Sequence, residues 1–352
     1  MKHTEPYIVV LADCAPDEVQ SFADGISDVL GRRVVIESSF KKKFSKKTLT
    51  GMIRYYSNFF SFAFRAWRHR NRYSVILAWQ QFYAQNFAFY SRLTATASPK
   101  RTLISVNYTY KTKSGLLGKI YSCYMKFCAR ARAMTYIHVL SPAYARRIEN
   151  ELGVSSEKLL VTHFGTPDRY DSWSMLPSPY DGDYVLSIGR SNRDFDYLCE
   201  VWRQPCLKDY RLVIIADLWQ HVKPLPENVI HLTDVIGDQS FPYIANAVLS
   251  VVPIKDPLIC SGDTVLLNSM MMKVPVAVSA PSTLSEMYVT DTTDGIYLKR
   301  DAISDARLIA DLLNSPEELK KLGEAARHTY IERFSRKAMG QAIARELIER
   351  GL

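Results

Sequence analysis

The chain has 352 residues, of which 47% are hydrophobic and 23% charged, a balance ordinary for a globular protein and too apolar for a disordered one. Its 45 Lys and Arg against 36 Asp and Glu give a formal charge of +9. The six Cys form no CxxC pair, and no signal peptide or apolar run of about 20 residues is visible. We therefore expect two domains in a reducing cytoplasm. A secreted disulfide scaffold, a zinc ribbon and an integral membrane protein are excluded.

The positive charge is concentrated in the first half of the chain. Residues 1–170 carry 26 Lys and Arg and 11 Asp and Glu, whereas residues 171–352 carry 19 and 25. No acid occurs among residues 38–148, and 16 aromatic residues lie among residues 40–90. This asymmetry predicts an anionic partner for the first half.

Predicted strands and helices alternate along the whole chain, starting with an apolar strand at 7–12. Such alternation is typical of doubly wound parallel sheets. We predict an α/β protein with two Rossmann-like domains facing a cleft, residues 1–167 and 183–334, joined by a linker at 168–182 and followed by a helical tail at 335–352. Further strands are predicted at 33–37, 73–79, 102–106, 137–140, 158–163, 183–188, 211–216, 229–232, 248–252, 274–279 and 295–298. Helices are predicted at 16–30, 46–70, 80–93, 115–134, 142–152, 195–202, 240–247, 263–272, 304–314 and 316–334.

The predicted helix at 46–70 is amphipathic. Its apolar residues recur every three or four positions, and basic residues such as Lys46, Lys47 and Arg54 mostly fall elsewhere. One interpretation is a helix packed on the core with a solvated basic face. The other is an interfacial helix on an anionic bilayer, because aromatic and basic side chains together suit the headgroup region. Nucleic acid uses similar groups, but no recognition motif for it occurs, so we expect no nucleic-acid partner.

One glycine-marked turn in the second half carries two basic residues. Gly189 and Arg190 follow a predicted strand, and Arg193 comes three residues later. Ligands of open α/β folds usually bind at the carboxyl ends of strands, where two guanidinium groups can clamp a diphosphate. The alternative is that one of these arginines forms a structural ion pair with Asp194 or Asp196.

A second turn, residues 261–264, precedes an apolar helix. Ser261 or Asp263 can cap this helix. The backbone N–H groups at such a helix start form a good phosphate site. Many capped helices show the same pattern. The turn therefore indicates a phosphate site only in combination with the other motifs of the second half of the chain.

Seven motifs follow one another in the chain. They are HVLSPAYARRI at 138–148, KLLVTHFGTPD at 158–168, GR at 189–190, SGDTVLLNSM at 261–270, KVPVAVS at 273–279, SE at 285–286 and DGIYL at 294–298. In this order and spacing they resemble the nucleotide-sugar half of GT-B glycosyltransferases, especially glycosyltransferase family 4. The resemblance extends over residues 137–334. It implies two Rossmann-like domains, sugar transfer from a nucleoside diphosphate donor, no cofactor and no obligatory metal.

The same resemblance implies roles for individual residues. It places Arg190 on the donor diphosphate, with Arg193 near its usual basic partner. The family's paired glutamates fall on Cys260 and Asn268, so neither carboxylate is present, and Asp256 and Asp263 are the nearest substitutes. The other donor-binding candidates are Gly189, Ser261, Gly262, Thr264 and Glu286, with Thr233, Asp234 and Val235 where the nucleobase packs.

An acceptor hydroxyl needs a general base if the reaction inverts configuration. Among residues 38–148 only His69 and His138 are available, and His138 begins a predicted buried strand, as core histidines do. Asp13 and Asp17 follow the first strand at its carboxyl end. We predict Asp13 as the catalytic base and Asp17 as the second candidate, whose alternative role is to stabilise the helix dipole.

Together these features predict a metal-independent, hexosyltransferase-like enzyme, peripheral on the cytoplasmic face of the membrane. It would move a sugar from a nucleoside diphosphate donor to a lipid-linked or surface-polysaccharide acceptor. Its partners would be the nucleotide sugar, the lipid-linked saccharide and an anionic membrane surface. The alternatives are a nucleotide-sugar epimerase or phosphorylase of the same fold, and a non-catalytic nucleotide-sugar-binding partner that has lost its carboxylates.

Overall fold

The chain folds as two compact units, residues 1–167 with 336–352, and residues 168–335. Lys46, Lys47 and Cys260 lie outside the described residues, so the predictions made for them stay predictions. The computed structural model describes residues 6–39, 48–217, 219, 221, 223–235, 237–259 and 261–352.

The first unit contains a parallel sheet of six strands in the order β2-β1-β3-β4-β5-β6. Its elements in chain order are β1 (Tyr7–Ala12), α1 (Pro16–Leu30), β2 (Val34–Ser38), α2 (Leu49–Arg68), β3 (Tyr73–Ala78), α3 (Gln81–Leu93), β4 (Thr102–Ser105), α4 (Gly115–Ala129), β5 (Tyr136–Val139), α5 (Pro142–Leu152) and β6 (Leu159–Val161).

Helices cover both faces of this sheet, which is why β1 is apolar throughout. Ile8 and Val10 are fully buried in the apolar cluster that includes α1. Val9 and Leu11 are fully buried in the cluster that includes α2 and α3. Successive side chains of a strand point to opposite faces, so an uninterrupted apolar run places a core on each side.

The second unit contains another six-stranded parallel sheet, in the order β12-β11-β10-β7-β8-β9. The prediction of an α/β protein with two Rossmann-like domains is confirmed. The elements are α6 (Tyr170–Trp173), β7 (Val185–Ile188), α7 (Phe195–Trp202), β8 (Leu212–Ile215), β9 (Val229–Leu232), α8 (Phe241–Ala245), β10 (Leu249–Val252), α9 (Asp263–Met271), β11 (Val276–Ser279), α10 (Thr283–Tyr288), β12 (Ile296–Leu298), α11 (Ala302–Leu313) and α12 (Pro316–Thr329).

The last helix, α13 (Arg336–Glu349), packs against α1 of the first unit, whereas the sequence left it as a separate tail. Gly25 and Gly340 allow this close approach, because a Cβ on Gly340 would collide with the backbone carbonyl of Phe22. In the described part of the chain, no helix combines the length and the hydropathy that a membrane span requires.

Candidate functional site

Arg193 joins two turns of the second unit at the carboxyl edge of its sheet. The first turn follows β7, and the second lies between β10 and α9. The guanidinium Nη1 of Arg193 donates to the backbone carbonyl oxygens of Ser191 at 3.1 Å and Ser261 at 3.4 Å, and Nε donates to that of Ile188 at 3.2 Å. Arg193 therefore fixes the relative position of the two turns.

Two glycines make room for this arginine. A Cβ on Gly189 would lie 2.6 Å from the side chain of Arg193, and one on Gly262 would lie 2.5 Å from it. Burial lowers the pKa of Arg193 to about 10, and the neighbouring carboxylate of Asp263 opposes that change. At pH 7 the guanidinium is still charged, so the turns surround a fixed positive group.

Helix α9 begins at these turns without a side-chain cap. Its N-cap residue is Gly262, with φ of 105°, rather than Ser261 or Asp263 as the sequence suggested. The Ser261 hydroxyl donates instead to the carbonyl oxygen of Ser191 at 3.2 Å. Asp263 accepts from the backbone N–H of Thr264 at 2.9 Å, and burial raises the pKa of its carboxyl group. Such a helix start favours an anionic ligand.

Arg190 lies in the first turn and is more exposed than Arg193. Its Nε lies 3.3 Å from a carboxylate oxygen of Asp217, with about half of the arginine side chain exposed. An exposed ion pair of this kind contributes little to stability, so a phosphate can replace Asp217 at small cost. The sequence had suggested Asp194 as a possible partner, but Asp194 pairs with Arg300 at 2.6 Å.

The sequence did not reveal the residues that hold the segment leading into the second turn. Asn192, with φ of 56°, donates from Nδ2 to the carbonyl oxygens of Asp256 at 3.0 Å and Ile259 at 3.1 Å. Its Oδ1 accepts from the backbone N–H of Asp256 at 2.8 Å. Arg300 donates to the carbonyl oxygen of Lys255 at 3.2 Å. Asparagine is enriched at positive φ, which was the only available signal.

The remaining donor-site candidates follow strands that end at the same edge of the sheet. Thr233, Asp234 and Val235 follow β9, and Thr233 and Asp234 are exposed. Thr264 and Asn268 share one face of α9, four residues apart. Glu286 is exposed on α10.

The two acidic candidates of the first unit differ in their surroundings. Asp13 is half-buried in the turn after β1, where its carboxylate accepts a hydrogen bond from Nε2 of Gln80 at 3.1 Å. Gln80 itself follows β3, the neighbouring strand. Asp17 is exposed in the first turn of α1. Only Asp13 is held at the carboxyl edge of the sheet by a neighbour.

His138 is a core histidine, as the sequence indicated. Its ring is fully buried, and Nδ1 accepts from the backbone N–H of Asn107 at 3.1 Å. The other ring nitrogen, Nε2, lies 2.8 Å from the hydroxyl of Thr162. Burial lowers the pKa of His138 to about 4. The imidazole is therefore neutral at pH 7 and supports the turn of Asn107, whose φ is 51°.

Among the described residues, no group of three His, Cys, Asp or Glu side chains is placed to hold a metal ion. The groups arranged to meet a ligand at the edge of the second sheet are instead Arg190 and the start of α9. Both are electropositive. The arrangement suits a diphosphate.

No protein-family model matches the sequence, and no curated protein matches it. Solved structures do match. A glycosyltransferase from Rickettsia africae ESF-5 is 12% identical with a TM-score of 0.59, over 99% of this chain and 100% of that one. Anabaena HepE in complex with UDP and glucose is 14% identical with a TM-score of 0.57, over 98% and 100%. WaaG, a glycosyltransferase involved in lipopolysaccharide biosynthesis, is 12% identical with a TM-score of 0.53, over 96% and 98%. The chain has the GT-B fold of these glycosyltransferases, which confirms the predicted fold.

Proposed function

We propose that this chain is a glycosyltransferase that moves a sugar from a nucleoside diphosphate to a lipid-linked or surface-polysaccharide acceptor at a membrane. The observation that carries the proposal is the pair of turns joined by Arg193. They combine the exposed Arg190 with the uncapped start of α9 at one sheet edge. The binding of UDP by HepE, which has the same fold, supports a nucleoside diphosphate as the ligand.

In the proposed reaction, the oxygen of an acceptor hydroxyl attacks the anomeric carbon of the donor sugar. The bond from that carbon to the diphosphate oxygen breaks, and the nucleoside diphosphate leaves. Arg190 and the first backbone N–H groups of α9 neutralise the charge that develops on the leaving diphosphate. If configuration inverts, Asp13 accepts the hydroxyl proton, and the hydrogen bond from Gln80 orients its carboxylate. Asp17 stays the second candidate for this base.

Helix α2 supports a membrane-bound acceptor. Phe59 and Ala63 are buried in the core, but the helix also has an exposed apolar stripe. Exposed arginines at 54, 65 and 68 accompany it. Aromatic, aliphatic and basic groups together on one surface favour the headgroup region of an anionic bilayer. We call the stripe the aromatic face; it consists of Met52, Ile53, Tyr56, Phe60 and Phe64.

Helix α4 extends this surface. Leu117 is 81% exposed, and Leu116 and Ile120 are exposed beside it. The rings of Phe60 on α2 and Tyr124 on α4 lie 6.4 Å apart, so the two helices contribute to one surface. An apolar area of this kind on a strongly basic unit supports peripheral attachment to the membrane.

The donor site is tested by screening nucleoside diphosphate sugars for binding and for release of the diphosphate. Arg190→Ala should weaken binding of the selected nucleotide about tenfold to a hundredfold, because a charged hydrogen bond contributes about 1.5–3 kcal/mol. Arg307→Ala, which removes an exposed arginine on α11, should leave affinity unchanged. Equal affinity of wild type and Arg190→Ala would contradict the site.

The same assay separates binding from turnover. Asp13→Asn should keep nucleotide affinity and slow transfer about 10²- to 10⁴-fold, the usual contribution of a general base. A wild-type chain that binds a nucleotide sugar and never releases the diphosphate would instead support the non-catalytic alternative.

A further inference from the structure

A second basic site lies at the amino edge of the first unit's sheet. The segments that precede β4 and β5 enclose a cavity of about 730 Å³. Its volume falls in the range of about 300–1,000 Å³ that is usual for small-molecule sites. The lining includes four arginines and otherwise only Ala, Ser, Thr and Pro, with no Asp or Glu among the lining residues described. The arginines are Arg92, Arg101, Arg130 and Arg132.

Backbone oxygens, and not carboxylates, hold three of these arginines: Arg92, Arg130 and, as described below, Arg101. Arg92 donates to the carbonyl oxygen of Phe127 at 2.7 Å, and Arg130 donates to that of Leu152 at 2.7 Å. In the portion of the chain that the structure covers, none of the four arginines forms an ion pair with a carboxylate. Their positive charge is therefore not compensated by the protein.

Arg101 is the least exposed of the four arginines. Its Nε donates to the carbonyl oxygen of Arg70 at 2.9 Å, and Nη2 donates to Oδ1 of Asn71 at 3.3 Å. Burial and the positive charge of Arg70 both lower the pKa of Arg101. An anion in the cavity would favour the charged form of Arg101 and so oppose both effects.

The wall of the cavity also includes Ser91, which is fully buried, so its hydroxyl presents no surface to a ligand in the cavity. The charge of the site therefore comes from the arginines. Four arginines without counter-ions around one cavity indicate an anionic ligand.

We propose that this cavity binds a ligand with two phosphate groups, either a soluble diphosphate or the headgroup of a phospholipid. Arginine can donate two parallel hydrogen bonds to a phosphate. A soluble diphosphate carries a charge of about −3 at neutral pH and a headgroup with two phosphodiesters about −2, so the four guanidinium groups would attract either. The site needs neither the donor site nor the proposed transfer reaction, and it lies in the other unit.

The position of the cavity is compatible with both sources of phosphate. Trp67, in the last turn of α2, donates from its indole N–H to the hydroxyl of Thr96 at 3.1 Å. Thr96 lies between Ala95 and Ala97, which line the cavity. The end of α2 thus borders the cavity, so a headgroup bound there would lie near the aromatic face.

Calorimetric titration with inorganic pyrophosphate tests the site. The full chain carries Arg190→Ala, which weakens the proposed donor site and so reduces its contribution to the titration. Adding both Arg101→Gln and Arg132→Gln to this chain should raise the Kd for pyrophosphate at least tenfold. Arg132→Gln alone should raise it at least threefold; this arginine is exposed, so its loss should leave the fold intact. Arg146→Gln, which removes an exposed arginine of α5, should change the Kd less than twofold.

Sedimentation with phosphatidylcholine vesicles distinguishes the two sources. The vesicles contain either cardiolipin, whose headgroup has two phosphates, or phosphatidylserine at equal surface charge. If the chain binds cardiolipin vesicles more strongly than phosphatidylserine vesicles, and Arg101→Gln with Arg132→Gln abolishes this preference, the ligand is a lipid. Arginine-dependent pyrophosphate binding without that preference identifies a soluble one. If neither measurement depends on Arg101 and Arg132, the proposal is wrong, and the donor site is unaffected by that result.

Discussion

Arg193 acts mainly as a positioning residue at the carboxyl edge of the second sheet. Its hydrogen bond to Ser261 spans 68 residues of sequence, and its Nη1 and Nε donate to backbone carbonyl oxygens. Arg190, which shares the first turn, forms an exposed ion pair with Asp217 and no other ion pair within the described residues. Of the two arginines expected to clamp a diphosphate, Arg190 is thus the better placed to contact it, and Arg193 keeps the turns in register.

Gly262 is the residue whose replacement tests this arrangement. Gly262→Ala should lower the free energy of unfolding by about 2–3 kcal/mol, because the new Cβ strains a φ of 105° and overlaps Arg193. Gly182→Ala is the control, since Gly182 has φ of 81° but open space around it, and about 1 kcal/mol is expected. Urea denaturation measures both. Equal losses of unfolding free energy in the two variants would show that the overlap with Arg193 does not affect stability.

The sequence suggested candidate ligand-binding residues, but it did not suggest the residues that support them. The Gly189-Arg190 turn and residues 261–264 were identified by their spacing after strands and before a helix. Asp217 and Arg300 were missed, because Arg300 contacts Asp194 across 106 residues and nothing in a single sequence pairs them. Side-chain partners at such separations follow from the sheet topology, not from local pattern.

At the level of elements, α2 shows what periodicity can and cannot predict. The pattern predicted a helix at 46–70, and the structure has Leu49–Arg68. The pattern did not show which apolar residues are covered, because that depends on how much of α2 the neighbouring helix α3 contacts. The six-residue helix α10 was missed for a different reason: its length is under two turns, too short for a 3.6-residue period to be recognised.

The exposed stripe of α2 leads to a direct test of membrane attachment. Ile53→Asp should reduce binding to anionic vesicles at least tenfold, because it places a charge in the aromatic face. Ile348→Asp makes the same change on α13, at a side chain of similar exposure, 49% against 59%, and should leave binding unchanged. Vesicle sedimentation measures both variants. Equal effects, or no effect of Ile53→Asp, would exclude α2 as the interface.

For the molecule as a whole, alternating strands and helices were sufficient to predict two parallel sheets. Strands such as β1 are apolar on both faces only when helices cover both faces, and that property is visible in sequence. The sequence did not show that α13 packs on the first unit. The packing of α13 on α1 depends on Gly25 and Gly340, because these glycines let the two helices, from opposite ends of the chain, come close together.

The proposed function requires the second unit to bind a nucleoside diphosphate through Arg190 and the start of α9. A crystal structure with the nucleotide selected by the screen tests it most directly. We predict diphosphate oxygens within about 3 Å of the Arg190 guanidinium and of backbone N–H groups at residues 263–265. A diphosphate bound in any other place on the chain, with Arg190 still paired to Asp217, would contradict the account.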